Sequence, residues 1–257
     1  MIPTHTAEWM DGLASDLLRH VFQRAMLEHQ QEILNQIQHL WGMLISRLPL
    51  QVLLPAACPC VSTWICLMMQ PSRIAFDPST LIFPPPKQLS EGRRRSSSGG
   101  CPLLDTAPVE TKYFISGTDH VYENPVQREK GVVRARCLAA SMLGLLSQYL
   151  VQPMPGLTYT PDMESPVECY AKLFLVHLNS RSSIQRTAVA MVMAEWAERS
   201  DSVSPPSFLV DRLHLSLTEC IYYDEIGVAY TRLLHDTKDL IATLKVTLFK
   251  ATSNYIY

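Results

Sequence analysis

The chain has 257 residues, 47% of them apolar and 18% charged, with a formal net charge of −2 at neutral pH. So apolar a composition excludes disorder over most of the chain, and the balanced charge excludes a broad basic field for nucleic acid. Ten glycines fall well below the usual roughly 7% and argue against Gly-turn-rich sandwiches and doubly wound sheets with phosphate loops.

Residues 8–70 are predicted to form three packed helices. In the first, over 8–27, Leu13, Leu17, Val21 and Phe22 share a stripe, with Asp16, Arg19 and Arg24 outside it. In the second, Ile33, Leu34, Ile37, Leu40, Trp41, Leu44, Ile45 and Leu48 recur at three- and four-residue steps, the spacing of an amphipathic helix. Pro49 stops it and opens the next, which runs from Val52 or Pro59 to Gln70.

No charge occurs between Arg47 and Arg73, so by length alone this stretch is a candidate membrane span. Pro55 and Pro59 remove helix donors and Ser62 and Thr63 add polar groups, which favours a buried helix of a helical array. A membrane protein anchored through residues 48–72 is the competing reading.

Composition shifts over 71–112, which holds Pro84-Pro85-Pro86, Arg93-Arg94-Arg95, Ser96-Ser97-Ser98 and Gly99-Gly100. Such a segment cannot bury enough apolar surface to offset its ordering entropy, so a long disordered insertion is predicted. Three arginines before serines also make Ser96 and Ser97 candidate sites for a basophilic kinase, where phosphate would reverse the local charge. A solvated linker without a regulatory role is the favoured alternative.

Helices resume over 113–248. One starts at Pro125, and after the Pro/Gly-rich loop of 152–161 a second covers 166–178. A third follows Asn179-Ser180, a fourth opens near Ser207, and the last begins near Asp224 with Ile226, Tyr230, Leu233, Leu240, Ile241 and Leu244 on one face. No convincing alternating strand pattern is present. Residues 249–257 form an atypical tail.

Two of these helices resemble each other. The string from Arg136 to Leu143 and that from Arg186 to Met193 each begin with arginine and continue with small and aliphatic residues, 50 residues apart. That offset slightly exceeds the roughly 40–47 residues of HEAT and armadillo units, and the 152–161 loop accounts for the excess. The predicted fold is all-α, a HEAT-like α-solenoid of antiparallel helix pairs, each covering its neighbour's apolar face.

Chemistry is sparse. Seven cysteines, an odd number scattered mostly through apolar runs, read as reduced, buried thiols, and Cys58-Pro59-Cys60 lacks a second ligand pair at zinc spacing. None of the ten glycines precedes a lysine, so there is no G-x-x-x-x-G-K-[ST] loop; H-E-x-x-H and G-x-S-x-G are also missing. Ile221-Tyr222-Tyr223-Asp224-Glu225 has the apolar-then-acidic form of an ATPase strand end, but it follows a helix and reads better as the cap of the next one. Trp41, Trp64 and Trp196 occupy apolar stripes and read as core anchors. No catalytic, cofactor-binding or metal-ligating residue is assigned.

Several unbroken strings go beyond pattern: Ala56-Ala57-Cys58-Pro59, Cys66-Leu67-Met68-Met69-Gln70-Pro71-Ser72, His177-Leu178-Asn179-Ser180 and Tyr222-Tyr223-Asp224-Glu225-Ile226. Together with Leu18-Arg19-His20-Val21-Phe22 they resemble the HEAT-repeat region of the TATA-binding-protein-associated factors of the B-TFIID complex, the modifier-of-transcription family of Snf2-type ATPases. The resemblance runs from about Asp16 to about Leu244 and is weakest in the insertion. It implies a nuclear HEAT-repeat scaffold that grips the TATA-binding protein through helix-connecting loops. In the full-length family an ATP-driven motor then strips that protein from DNA.

By the same resemblance, these residues carry the grip and no motor: no enzyme, no cofactor, contact with DNA only through the partner, and no membrane. Individual partner-binding residues are not assigned, though exposed loops, including 73–112, are favoured by architecture. The first ten and last fourteen residues depart from the family pattern. An adaptor solenoid for another protein partner is the alternative.

Overall fold

The computed structural model describes residues 4–77, 81, 112–118, 121, 124–160, 162–199, 203–218 and 223–253. Among them the helices are α1 (Thr4–Leu27), α2 (Gln31–Arg47), α3 (Leu50–Ala57), α4 (Val61–Met69), α5 (Pro125–Leu150), α6 (Pro166–Leu178), α7 (Ser183–Arg199), α8 (Ser207–Thr218) and α9 (Tyr223–Ser253). The fold is all-α and solenoid-like. Residues 82–111, with Ser96 and Ser97, lie outside the described part.

Helix starts follow local chemistry. Pro125 and Pro166 sit in the first turns of α5 and α6, where no N–H partner is needed. Asn124 accepts the Val126 N–H, and Ser165 forms a reciprocal capping box with Glu168. Pro49 is the N-cap residue of α3.

The third predicted helix is two. Cys58–Cys60 form a 3-10 turn between α3 and α4, because Pro59 has no N–H to carry the α-helical ladder across. Its buried residues, among them Leu53, Leu54, Val61, Trp64, Ile65 and Met68, join the core shared by α1–α8. Leu50–Met69 has the length and composition of a membrane span, yet half of it is buried within the protein.

The stripe on α1 is also shifted. Ala14, Leu18, Val21, Phe22, Ala25 and Met26 are buried, whereas Leu13 is 50% exposed and Leu17 is exposed as well. From Ala14 to Met26 the buried set keeps to one helical face, so small residues complete a face that larger ones do not enter.

α5 and α7 approach closely at Gly144. An ideal Cβ on Gly144 would stand 2.4 Å from Glu195 Cβ and 2.9 Å from the Trp196 nitrogen, so only glycine fits this crossing. The two similar arginines both bond carbonyls at or just past a helix end. Arg136 donates from Nε to the Met68 carbonyl (3.1 Å) and from Nη2 to that of Gln70 (2.8 Å), closing the end of α4. Arg186 donates from Nη1 to the Ser180 carbonyl (2.6 Å), just past the end of α6. Helix carbonyls without intrahelical partners accept such donors, and their dipole favours the cation.

The three tryptophans are core anchors. Phe22, Trp41 and Trp64 form one cluster, with Phe22 and Trp64 stacked at 5.1 Å, and Tyr170, Phe174 and Trp196 form another. Two of the indole N–H groups have carbonyl partners: Trp41 donates to that of Met142 (2.8 Å) and Trp196 to that of Val203 (2.6 Å).

A small hairpin, unforeseen in the sequence, pairs β1 (Tyr113–Phe114) with β2 (Gly117–Thr118), Tyr113 opposite Thr118. Two-residue strands are too short to show alternation. Its turn needs positive φ at Ser116 (68°) and Gly117 (120°), and the Ser116 N–H donates to the Met26 carbonyl at the end of α1. Residues 71–77, placed in the insertion by composition, approach the same hairpin: the Phe76 N–H bonds the Tyr113 carbonyl, and Phe76 is buried.

Candidate protein-docking face

α2, α5 and α7 pack in sequence, and their polar side chains converge on Ser141. The Ser141 Oγ accepts from Arg199 Nη2 of α7 (2.6 Å) and from Gln38 Nε2 of α2 (3.4 Å). Arg199 is held by Glu195 one turn earlier (3.1 Å), and Arg134 of α5 donates to Gln31 of α2 at 3.3 Å. Alongside runs a shallow depression on α2 centred on Gly42 and lined by Asn35, Gln38, His39, Met43, Ser46 and Arg47. The missing side chain at Gly42 makes the dip, since nothing lies within 4 Å of its Cβ position. Amides, arginines and one imidazole offer donors and acceptors to a folded partner's backbone, the composition of an interface rim.

A second cavity, of about 200 Å³, lies between α1 and the α3–α4 turn and is lined by Arg19, Gln23, Cys60, Trp64 and Leu67. Ligand pockets of cofactor size run to roughly 300–1,000 Å³, so this is a packing gap. Among the described residues no group of three or more His, Cys, Asp or Glu side chains could hold a metal ion.

The cysteines correct one expectation. Cys60 is half-buried, but Cys58, Cys66, Cys137 and Cys169 are exposed, all as free thiols, while Cys101 and Cys220 lie outside the described residues. Their apolar neighbours turn inward and leave them on outer helix faces. Desolvation raises the Cys58 and Cys60 thiols above their ordinary range, with Arg19 and Ser15 opposing it at Cys60, so both stay protonated near neutrality.

Glu28 was not singled out in the sequence. Its carboxylate lies buried at the α1–α2 turn, where it accepts the backbone N–H groups of His29 (2.8 Å) and Gln30 (2.9 Å) and pairs with Arg24. Burial pushes its pKa up, but the two N–H donors, Arg24 and His29 outweigh that and hold it below the usual carboxylate value. It organises the turn that sets α2 against α1. α9 begins at Tyr223, so Asp224 and Glu225 lie inside its first turn rather than at the cap position before it; Ile221 and Tyr222 lie outside the described residues.

Stacked helix pairs joined by short turns, with a polar face shared by three of them, define a helical-repeat protein of solenoid-like build. The chain belongs to the family described as a domain of unknown function, DUF3535, whose model matches residues 40–254. It is similar to TATA-binding protein-associated factor 172 of Homo sapiens, with 36% identity over 243 residues, 93% of this chain and 13% of that protein. It is also similar to TATA-binding protein-associated factor BTAF1 of Arabidopsis thaliana, with 23% identity over 272 residues, 92% of this chain and again 13% of the relative. The chain thus spans about an eighth of the length of these relatives. No solved structure matches it.

Proposed function

We propose that this chain is a HEAT-type scaffold of a transcription regulator, and that it holds the TATA-binding protein on the α2–α5–α7 face and adjoining helix turns. The observation that carries this reading is the likeness, over 93% of the chain, to a human protein named for association with the TATA-binding protein. Supporting it, Ser141 gathers Gln38 and Arg199 on one face, where charged and amide groups are held in fixed positions.

The role is binding, not catalysis, with no cofactor. Removal of the partner from DNA by an ATP-driven Snf2 motor belongs to the whole-protein activity that the resemblance implies, and DNA is reached only through the partner. The location that follows is nuclear. The test is titration of the purified chain with TATA-binding protein by calorimetry. Micromolar or tighter association, weakened at least about tenfold by the double substitution Arg134→Glu and Arg199→Glu, is expected. No association at tens of micromolar would overturn the reading, and capture of a different protein from nuclear extract would mark an adaptor solenoid instead.

A further inference from the structure

The outer flank of α2 is a continuous polar strip with an arginine at each end. At its start, Arg134 of α5 donates to Gln31 (3.3 Å), and the Gln31 amide donates in turn to Asn35 (3.0 Å). Asn35, Gln38, His39, Gly42 and Ser46 then line a depression of about 490 Å³ that ends at Arg47, the last residue of the helix. In the middle, Arg199 shares the Ser141 hydroxyl with Gln38 and is balanced by Glu195. Arg134 and Arg47 are both exposed, and among the described residues neither makes an ion pair.

The chemistry of the strip selects its occupant. The depression has the volume of a ligand site, but its open, polar walls do not suit a small molecule that must be largely buried. A docking helix needs apolar holes for its side chains, and Met43 is the one large apolar residue lining the depression. An extended chain, by contrast, keeps its own N–H and C=O groups unpaired, and the side-chain amides of Asn35 and Gln38 both donate and accept. At Gly42 nothing lies within 4 Å of the Cβ position, so a backbone can approach there. No Phe, Tyr or Trp lines the depression for a base to stack on, and Glu195 sits mid-strip, both of which disfavour a nucleic acid.

We infer that this strip receives an extended acidic segment of another protein, with one carboxylate on Arg134, a second on Arg47 and the intervening backbone on Asn35 and Gln38. The charges set the spacing. Gln31 and Arg47 stand about 24 Å apart along the α2 axis. Extended chain rises about 3.1–3.4 Å per residue, so the two acidic residues are about seven apart in the ligand. A guanidinium takes a carboxylate through two parallel N–H bonds, which makes each end a specific anchor. The inference rests on the reading of the α2–α5–α7 face as a protein interface and deepens it by naming the chemistry of the segment held.

Fluorescence anisotropy on the full 257-residue chain at low salt tests this with labelled peptides of about ten residues. One carries two glutamates about seven residues apart, a second carries them side by side, and a third has glutamine in their place. The spaced peptide is expected to bind below about 1 mM. It should bind roughly fivefold more tightly than the adjacent one, the worth of one exposed ion pair, and tighter still than the glutamine peptide. Arg47→Gln and Arg134→Gln should each remove that advantage without moving the melting temperature, and Gly42→Phe, which fills the depression, should abolish binding. Equal binding of the spaced and adjacent peptides, binding unchanged in Arg47→Gln and Gly42→Phe, or tighter binding of a single-stranded oligonucleotide would each overturn the inference. Association with the TATA-binding protein is read in its own titration, so its persistence alongside any of these results would sink this inference and leave that reading standing.

Discussion

Arg136 and Arg186, fifty residues apart in the chain, each bond carbonyls at a helix end: Arg136 those of Met68 and Gln70 at the end of α4, and Arg186 that of Ser180 beyond α6. Burial lowers the Arg136 pKa and Glu129 partly restores it, but a guanidinium remains cationic throughout the ordinary pH range. Arg136→Met is expected to cost about 1.5–3 kcal/mol, the worth of hydrogen bonds from a charged donor. Arg136→Lys should recover only part of it, since one ammonium cannot reproduce the planar fork. Urea unfolding of the three proteins measures both differences.

Gly144 and Gly42 make a matched pair. Alanine is favoured over glycine in a helix interior by about 0.8–1 kcal/mol. At Gly42 nothing opposes that preference, so Gly42→Ala should stabilise the protein by up to about that amount. At Gly144 the new methyl would press on the Glu195 side chain and the α7 backbone, and overpacking of this kind costs roughly 1–3 kcal/mol or more. Gly144→Ala should therefore lower the melting temperature, and Gly42→Ala raise it.

Glu28 supplies a pH dependence. Its folded-state pKa is depressed, so the unfolded state binds its proton more readily, and stability from this group is present above the unfolded value of about 4.3. It is lost as pH falls through the folded value. Glu28→Gln should be less stable than the parent at pH 7 by about 1.5–3 kcal/mol, with the gap closing in acid. A gap that stays constant from pH 7 to below pH 3 in denaturant titrations would contradict this.

Trp41 links α2 to α5 through its bond to the Met142 carbonyl and is 1% exposed. Trp41→Phe keeps an aromatic ring against Phe22 and Trp64 but removes the N–H and part of the volume. A loss of about 2–3 kcal/mol is expected from the hydrogen bond and the residual gap together. Guanidinium unfolding followed by circular dichroism reads it without relying on the fluorophore.

How far the sequence reached can be judged residue by residue. Helical spacing, proline punctuation and the strings around Cys66–Ser72 and His177–Ser180 were enough to define an all-α array and its relatives, and the repeated arginine strings located two similar helices. These signals are local: a period of 3.6 residues and a missing N–H act within one or two turns. The capping box at Ser165 and Glu168 was not read from the sequence, although its Ser-x-x-Glu signature is equally local.

Other features were settled only when distant segments met. The convergence of Gln38 and Arg199 on Ser141 joins residues 103 and 58 positions apart. The seat of Gly144 depends on Glu195, and the burial of Ala14 over Leu13 depends on which side of α1 meets its neighbours. The cysteines, called buried from their apolar surroundings, proved largely exposed for the same reason. Sequence determined that these helices have faces to bury; tertiary packing decided which faces meet, because close approach depends on paired surfaces that no single stretch of chain contains.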